Sequence, residues 1–341
     1  MVERIAQLLY PDGHELDFDL RDPEGAAAET RRWVAETPTG TLFETVVIAD
    51  GLMARVDILH KEGDRIDLIE VKSASINSDE NPGFRGKRGE IASDKRKYVE
   101  DVAFQAQVIR EAYPEYRVTP FLCVADKAKR VTEACTLGQF TLERPDASSA
   151  SGRTVVRYHG DVAKLRETHP LAIVDVSDLV DELADEIRKA SARFAASIAG
   201  DELVALPGPL TPGCKDCEYR VAKGASGGER DGFAECWGDL AHEPDHIVDL
   251  YYASSYGGGA FDELVRSGTV DIKRLDASVC TGARGARQRL QIECTRRGEE
   301  HSPSELTEVL RGHEYPLHFI DFEAAQPVMP FHAGMRPYDR V

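Results

Sequence analysis

The order of periodic segments predicts an α/β fold. Three strand-like runs follow one another between Phe43 and Lys72, a helix-patterned segment spans Lys95–Ala112, and an apolar run, Arg117–Ala125, comes next. Strand, strand, strand, helix, strand is the order of a sheet with a helical crossover.

Residues 1–40 are polar and Ala-rich, and Glu24–Glu36 has helical composition closed by the turn signal Thr37-Pro38-Thr39-Gly40. Phe43–Ala49 is rich in β-branched residues and runs into Asp50-Gly51, a strong hairpin turn. Leu52–His60 alternates apolar and polar, Glu62-Gly63 offers a second turn, and Arg65–Lys72 alternates again, which makes an antiparallel meander. Residues 73–94 have no periodicity and read as a long loop, a kind that is either functional or disordered. In the helix that follows, Tyr98, Val102, Gln105 and Ile109 fall near one face. Asp146–Gly152 is a polar connector, and Asp178–Ile198 is the clearest helix, with Leu179, Leu183, Ile187, Phe194 and Ile198 as its apolar stripe. Pro207–Gly213 breaks the chain ahead of a cysteine segment. Residues 256–268 hold a triple-glycine turn and a short helix, Ser302–Arg311 reads as helix, and Leu317–Phe322 as a short apolar strand.

The 341 residues carry 60 acidic and 42 basic side chains, a formal net charge of −18, with 42% hydrophobic and 30% charged residues. That is the composition of a folded globular chain, long enough for two or three domains. No run approaches the about 20 apolar residues of a membrane span, and the start, MVERIAQLLYPDGHELD, has no signal-peptide core. No membrane partner and a cytoplasmic location are therefore expected. Seven cysteines without a secretion signal do not read as a disulfide framework. The net charge counts against a nucleic-acid partner, because phosphates are neutralised by Lys and Arg; it also averages over local sites.

The meander gathers chemistry at one end. Glu70 and Lys72, two apart on a strand, share a face, and Asp57 lies on the neighbouring strand. Two carboxylates make a hard-oxygen site for Mg²⁺ or Mn²⁺. Such an ion polarises a phosphodiester and acidifies an attacking water, and a lysine beside it stabilises transition-state charge. A solvated strand face gives the same alternation. Arg85, Lys87, Arg88, Lys95, Arg96 and Lys97 crowd the stretch before Gln105. They suit a phosphate backbone or a solvated loop.

Cys214 and Cys217 form a Cys-x2-Cys pair beside Gly213, and Cys236 follows. A fourth ligand from His242 would complete a zinc site; Cys280 or Cys294 would complete a four-thiolate site for zinc or iron–sulfur. Packed, reduced thiols are the alternative. Cys123 reads as core, and Cys135 carries no assignment. Asp321 and Glu323 close an apolar run as a second carboxylate pair, or as a solvated strand end.

Asp57, then Glu70-Val71-Lys72, then a helix bearing Gln105, resembles the PD-(D/E)XK nuclease superfamily, in particular its RecB-like branch. The resemblance covers residues 40–126 and implies a restriction-endonuclease-like core, a mixed sheet flanked by helices. It makes Asp57 and Glu70 metal ligands, Lys72 the catalytic lysine and Gln105 a supporting residue, with Tyr98 and Asp101 at the family's aromatic and acidic positions. Val56 stands where the family has proline, and Ile109 where it has tyrosine. Several RecB-like nucleases hold a [4Fe–4S] cluster on three C-terminal cysteines and one far upstream. Cys214, Cys217 and Cys236 are similar to that group, although no cysteine precedes Cys123. Asp321 and Glu323 resemble the first motif of DnaQ-like (DEDD) exonucleases, an incomplete second site because the later acidic motifs are missing.

The whole order is similar to an uncharacterised bacterial family that joins these three parts. It implies a nuclease domain over 1–200, a cysteine-bearing α-rich segment over 201–310 and an RNase H-like start over 311–341, shortened at both ends. The implied function is Mg²⁺- or Mn²⁺-dependent cleavage of DNA rather than RNA, with a separately encoded exonuclease part as partner. The alternatives are an inactive remnant that binds nucleic acid or a partner, and a metal-stabilised scaffold.

Overall fold

A computed structural model describes residues 1–16, 21–80, 83–132, 136–144, 154–200, 208–221 and 230–341. The connector Asp146–Gly152, Cys135 and Pro207 lie outside the described residues. The chain divides into two units, Met1–Leu203 with Asp321–Val341, and Val204–Ile320.

The first unit begins with α1 (Val2–Leu8), β1 (His14–Glu15) and α2 (Pro23–Glu36). Asp22 caps α2 by accepting the Gly25 N–H at 2.9 Å, and Pro23 takes the first helical position, where its missing N–H costs nothing. The meander follows as β2 (Thr39–Ala49), β3 (Leu52–Glu62) and β4 (Arg65–Ile76). Asp50 and Gly51 have φ of +48° and +75°, the paired positive values that a tight hairpin between Ala49 and Leu52 requires. Then come α3 (Ser93–Ala112), β5 (Arg117–Asp126), a small hairpin of β6 (Phe140–Glu143) and β7 (Val155–Tyr158), α4 (Val162–Thr168), β8 (Leu171–Asp175) and α5 (Ser177–Ile198).

The large sheet has the order β1-β2-β3-β4-β5-β8. β1 runs parallel to β2 and β4 parallel to β5, and the other pairs are antiparallel. The β4–α3–β5 crossover supplies the parallel pair, since parallel neighbours need a long connection. The protein is thus α/β, a mixed six-stranded sheet flanked by helices.

Each sheet face has its own core. One packs Val99, Val102, Ala106 and Ile109 of α3 and Leu179, Val180 and Leu183 of α5 over Val56, Leu68, Leu122 and Val124. The other packs Ile5 and Ala6 of α1 and Leu165 of α4 against Ile58, Ile69, Cys123 and Ala125. Fully burying such a side chain is worth about 1.5–3 kcal/mol for Leu, Ile or Val.

Val328 and Met329 join the second of these cores. Residues from Asp321 onward therefore belong to the first unit, not to a separate C-terminal domain beginning at 311. Ala325 and Val341 exchange backbone hydrogen bonds of 3.3 and 3.1 Å, and Val131 exchanges two with Met335 and Gly334, at 3.0 and 2.8 Å. The expected strand Leu317–Phe322 does not form. Phe319, Ile320 and Phe322 are 92%, 73% and 87% exposed, and an apolar run without a neighbouring strand has nothing to pair with.

The second unit carries α6 (Gly232–Trp237), α7 (Phe261–Arg266), α8 (Gly282–Arg297) and α9 (Ser304–Arg311), joined by short 3₁₀ turns. Its core includes Trp237, Ile247, Tyr256, Phe261, Leu275 and Ile292. Among the described residues no helix is long and apolar enough to cross a membrane.

Candidate active site

The β3–β4 ladder runs from Glu62–Arg65 to Ile58–Ile69 and stops there. Asp57 and Glu70 are the next residues on each strand, where the two chains part. On its other edge β4 stays paired with β5 through Val71–Cys123, then breaks register before Ser75, and Lys72 sits in that irregularity. Bulges of this kind re-aim side chains beside active sites. The Val71 N–H donates to Asp57 Oδ2 at 2.7 Å, so the carboxylate itself closes the gap between the strands.

α3 covers the same point. Asp101 and Gln105, one helical turn apart, face β4. The Lys72 ammonium donates to Glu70 Oε1 at 2.6 Å and to Asp101 Oδ2. Gln105 Nε2 donates to Glu70 Oε2 at 2.8 Å and to Asp101 Oδ1 at 3.3 Å, while Gln105 Oε1 is buried without a partner. The four predicted residues Asp57, Glu70, Lys72 and Gln105 and the matched Asp101 are therefore one connected group.

Burial pushes Asp57 up to about 6; the Val71 N–H opposes this, and the charge of Glu3 on α1 adds to it. Burial, then the charge of Asp57, pushes Glu70 up to about 7. For Lys72 burial acts downward, but its hydrogen bonds to Asp101 and Glu70 outweigh it and raise the ammonium above the ordinary lysine value. Two carboxylates, Glu70 and Asp101, thus bind the one ammonium, Asp57 lies within its electrostatic reach, and Asp57 and Glu70 are held toward neutrality. A cation gains wherever it displaces protons from such groups.

These residues fit a hydrated divalent ion. Asp57 and Glu70 offer hard oxygen donors, and the orphan Gln105 Oε1 is an acceptor in want of a water proton. Among the described residues Asp57, Glu70 and Asp101 do not bring three ligand atoms within 4.8 Å of one another, so the protein itself offers two carboxylates and the rest of an ion's shell would be water.

The basic stretch is less free than its composition suggests. Arg85 donates to Glu182 at 2.9 Å, and Arg96 to both oxygens of Glu186 at 2.6 and 2.7 Å and to Glu100 at 2.7 Å. Lys95 pairs with Asp94 at 3.1 Å, and Lys97 sits 5.0 Å above the Tyr98 ring. Lys87 and Arg88 are exposed. Glu182 and Glu186 lie on α5, so much of the basic stretch joins loop and α3 to that helix.

Cys214 lies in the 3₁₀ turn Pro212–Asp216, Cys217 directly follows it, and Cys236 is exposed on α6. Among the described residues no three Cys or His ligand atoms come within 4.8 Å of one another, so neither the zinc nor the [4Fe–4S] donor set is assembled. The group that does meet that distance is Glu243, Asp245 and Asp271, where Lys273 pairs with Asp245 at 2.5 Å and Arg274 with Asp271 at 3.8 Å. Asp321 and Glu323 are exposed on the unpaired segment. Sequence reasoning missed Glu3, which reaches Asp57 electrostatically only because α1 packs beneath β4; no local pattern announces that. Comparison with protein-family models, with curated proteins and with solved structures finds no match to this chain.

Proposed function

We propose that this protein is a metal-dependent nuclease with a PD-(D/E)XK-like core, hydrolysing phosphodiester bonds of DNA in the cytoplasm. The observation that carries this is the half-buried Asp57 beside the buried Glu70 at the parting of β3 and β4, with the Lys72 ammonium bound to Glu70. A structural ion pair needs one acid for one base; here three acids crowd one lysine.

Asp57 and Glu70 would hold Mg²⁺ or Mn²⁺, which when bound supplies Lewis acidity toward a phosphoryl oxygen and a lower pKa for a coordinated water. Lys72 places a positive charge beside Glu70, where it stabilises charge gathering on the scissile phosphate. Gln105 fixes the Glu70 carboxylate through one oxygen, and Asp101 fixes the lysine, so neither side chain reorganises during the reaction.

The test is cleavage of labelled single- and double-stranded DNA with Mg²⁺ or Mn²⁺. Metal-dependent product that disappears with Asp57→Asn supports the assignment, and cleavage equal in the variant removes it. Binding without turnover in both proteins would instead favour an inactive nucleic-acid-binding remnant.

A further inference from the structure

The C-terminal segment 325–341 is closed on itself by the Ala325–Val341 backbone exchange and is bound to the rest of the first unit at two places: the Val131 bonds to Met335 and Gly334, and the burial of Val328 and Met329. Tyr338 packs against the same buried cluster as Val71, the residue between Glu70 and Lys72. It also lies near Tyr98, one turn before Asp101 on α3: burial first, then the neighbouring Tyr98, raises the Tyr338 phenol pKa. The segment is thus a strap laid beside the candidate active site.

Its polar groups are not satisfied by the protein. Arg336 Nε and Tyr338 Oη are both buried without a hydrogen-bond partner, and Arg336 forms no ion pair among the described residues. Tyr338 also has φ +61°, a left-handed backbone that a bulky residue rarely adopts; its N–H is held by Pro327 O at 3.0 Å. Unpaired buried donors and backbone strain tend to persist where a ligand repays them. By contrast, Arg85 and Arg96, the obvious candidates for phosphate contact, are engaged by α5.

We propose that residues 325–341 form a substrate-binding strap, in which the Arg336 guanidinium and the Tyr338 hydroxyl donate to a backbone phosphate of the nucleic acid. This rests on the nuclease reading of the Asp57–Glu70 site. An arginine and a hydroxyl are suitable donors for a phosphate oxygen, and neither reads base sequence.

The experiment measures binding of fluorescein-labelled DNA to the full chain, with Ca²⁺ in place of Mg²⁺, across a salt series. Cleavage with Mg²⁺ is measured in parallel. Arg336→Gln is expected to weaken binding about tenfold and to reduce the slope of log affinity against log salt by about one. Tyr338→Phe is expected to weaken binding about threefold while its melting temperature holds or rises, because it removes an unpartnered hydroxyl. A purely structural role would lower stability and leave affinity alone. Affinity within twofold of wild type in both folded variants overturns the proposal, as does increased cleavage, which would make the strap an inhibitor. If wild type cleaves and Asp57→Asn does not, the nuclease reading stands whatever the strap variants do. If wild type neither binds nor cleaves DNA, both fall.

Discussion

Gln105 Nε2 donates to Glu70 Oε2 at 2.8 Å, and with the Lys72–Asp101 bond it joins α3 to the strand end that carries the candidate site. Glu70 is only 5% exposed, so water does not replace the bond when it is lost. Gln105→Ala should destabilise the fold by about 1–3 kcal/mol, the cost of an unpaired buried acceptor, and should also slow cleavage. Chemical unfolding and a cleavage time course on the same preparation check both.

Lys72 holds two acids from different elements. Lys72→Ala should reduce Mg²⁺-dependent cleavage on the order of 100-fold or more, with little change in DNA affinity, because its charge serves the transition state. Activity within a few-fold of wild type would place the lysine outside the chemistry.

The raised acids give the metal-free fold a pH dependence of definite sign. With Asp57 near 6 and Glu70 near 7, the native state keeps protons that the unfolded chain has released between the ordinary carboxylate range and about 7. Stability is therefore greatest below that range and is lost as pH rises through the window. Melting in EDTA should show a lower Tm at pH 8 than at pH 5 from this source, and millimolar Mg²⁺ should raise Tm more at pH 8. Asp57→Asn should flatten both differences.

Arg85 and Arg96 are held by Glu182 and Glu186 of α5. Releasing them should turn a joining surface into a phosphate-attracting one. Glu182→Gln with Glu186→Gln should raise DNA affinity and steepen its salt dependence, while exposed pairs of this kind cost at most about 1 kcal/mol in stability. Unchanged salt dependence would show that nucleic acid does not pass this surface.

His246 stands 4.5 Å from Trp237, ring centre to ring centre and perpendicular to it. Burial holds its imidazole down at about 4, with Asp249 opposing and Arg220 assisting. In the window from about 4 to the ordinary histidine value of 6.5 the unfolded chain takes a proton that the native state refuses, so stability falls as pH drops through it. Trp237 fluorescence during urea unfolding, in a Trp33→Phe background, should show the midpoint moving down from pH 7 to pH 5.

Much of the first unit was legible because its signals are local. Period-two spacing put Glu70 and Lys72 on one side, Asp50-Gly51 announced the hairpin, and the helical interval put Val102, Gln105 and Ile109 near one face. The unread parts join residues far apart in the chain. Arg85 finds Glu182 97 positions away, so a cluster that looks basic in sequence is partly neutral in space. The Val71 N–H bond to Asp57 exists because the ladder stops short, which pairing decides and composition does not. Leu317–Phe322 has strand composition without a strand, since β-propensity reflects a neighbour to pack against. Arg336 and Tyr338 looked like part of a further domain because nothing in their local sequence says that Val328 and Met329 return to the first core.

That return has a consequence for how the molecule is made. Val328 and Met329 complete a core whose other members, such as Ile5, Ile58 and Cys123, leave the ribosome long before them. The sheet must wait, with one apolar face partly uncovered, until the whole second unit has been synthesised. Contacts of such long separation are slow to form, and an exposed apolar face invites aggregation in the interval. Shortened chains ending before residue 325 should therefore express poorly even though every strand of the sheet is present.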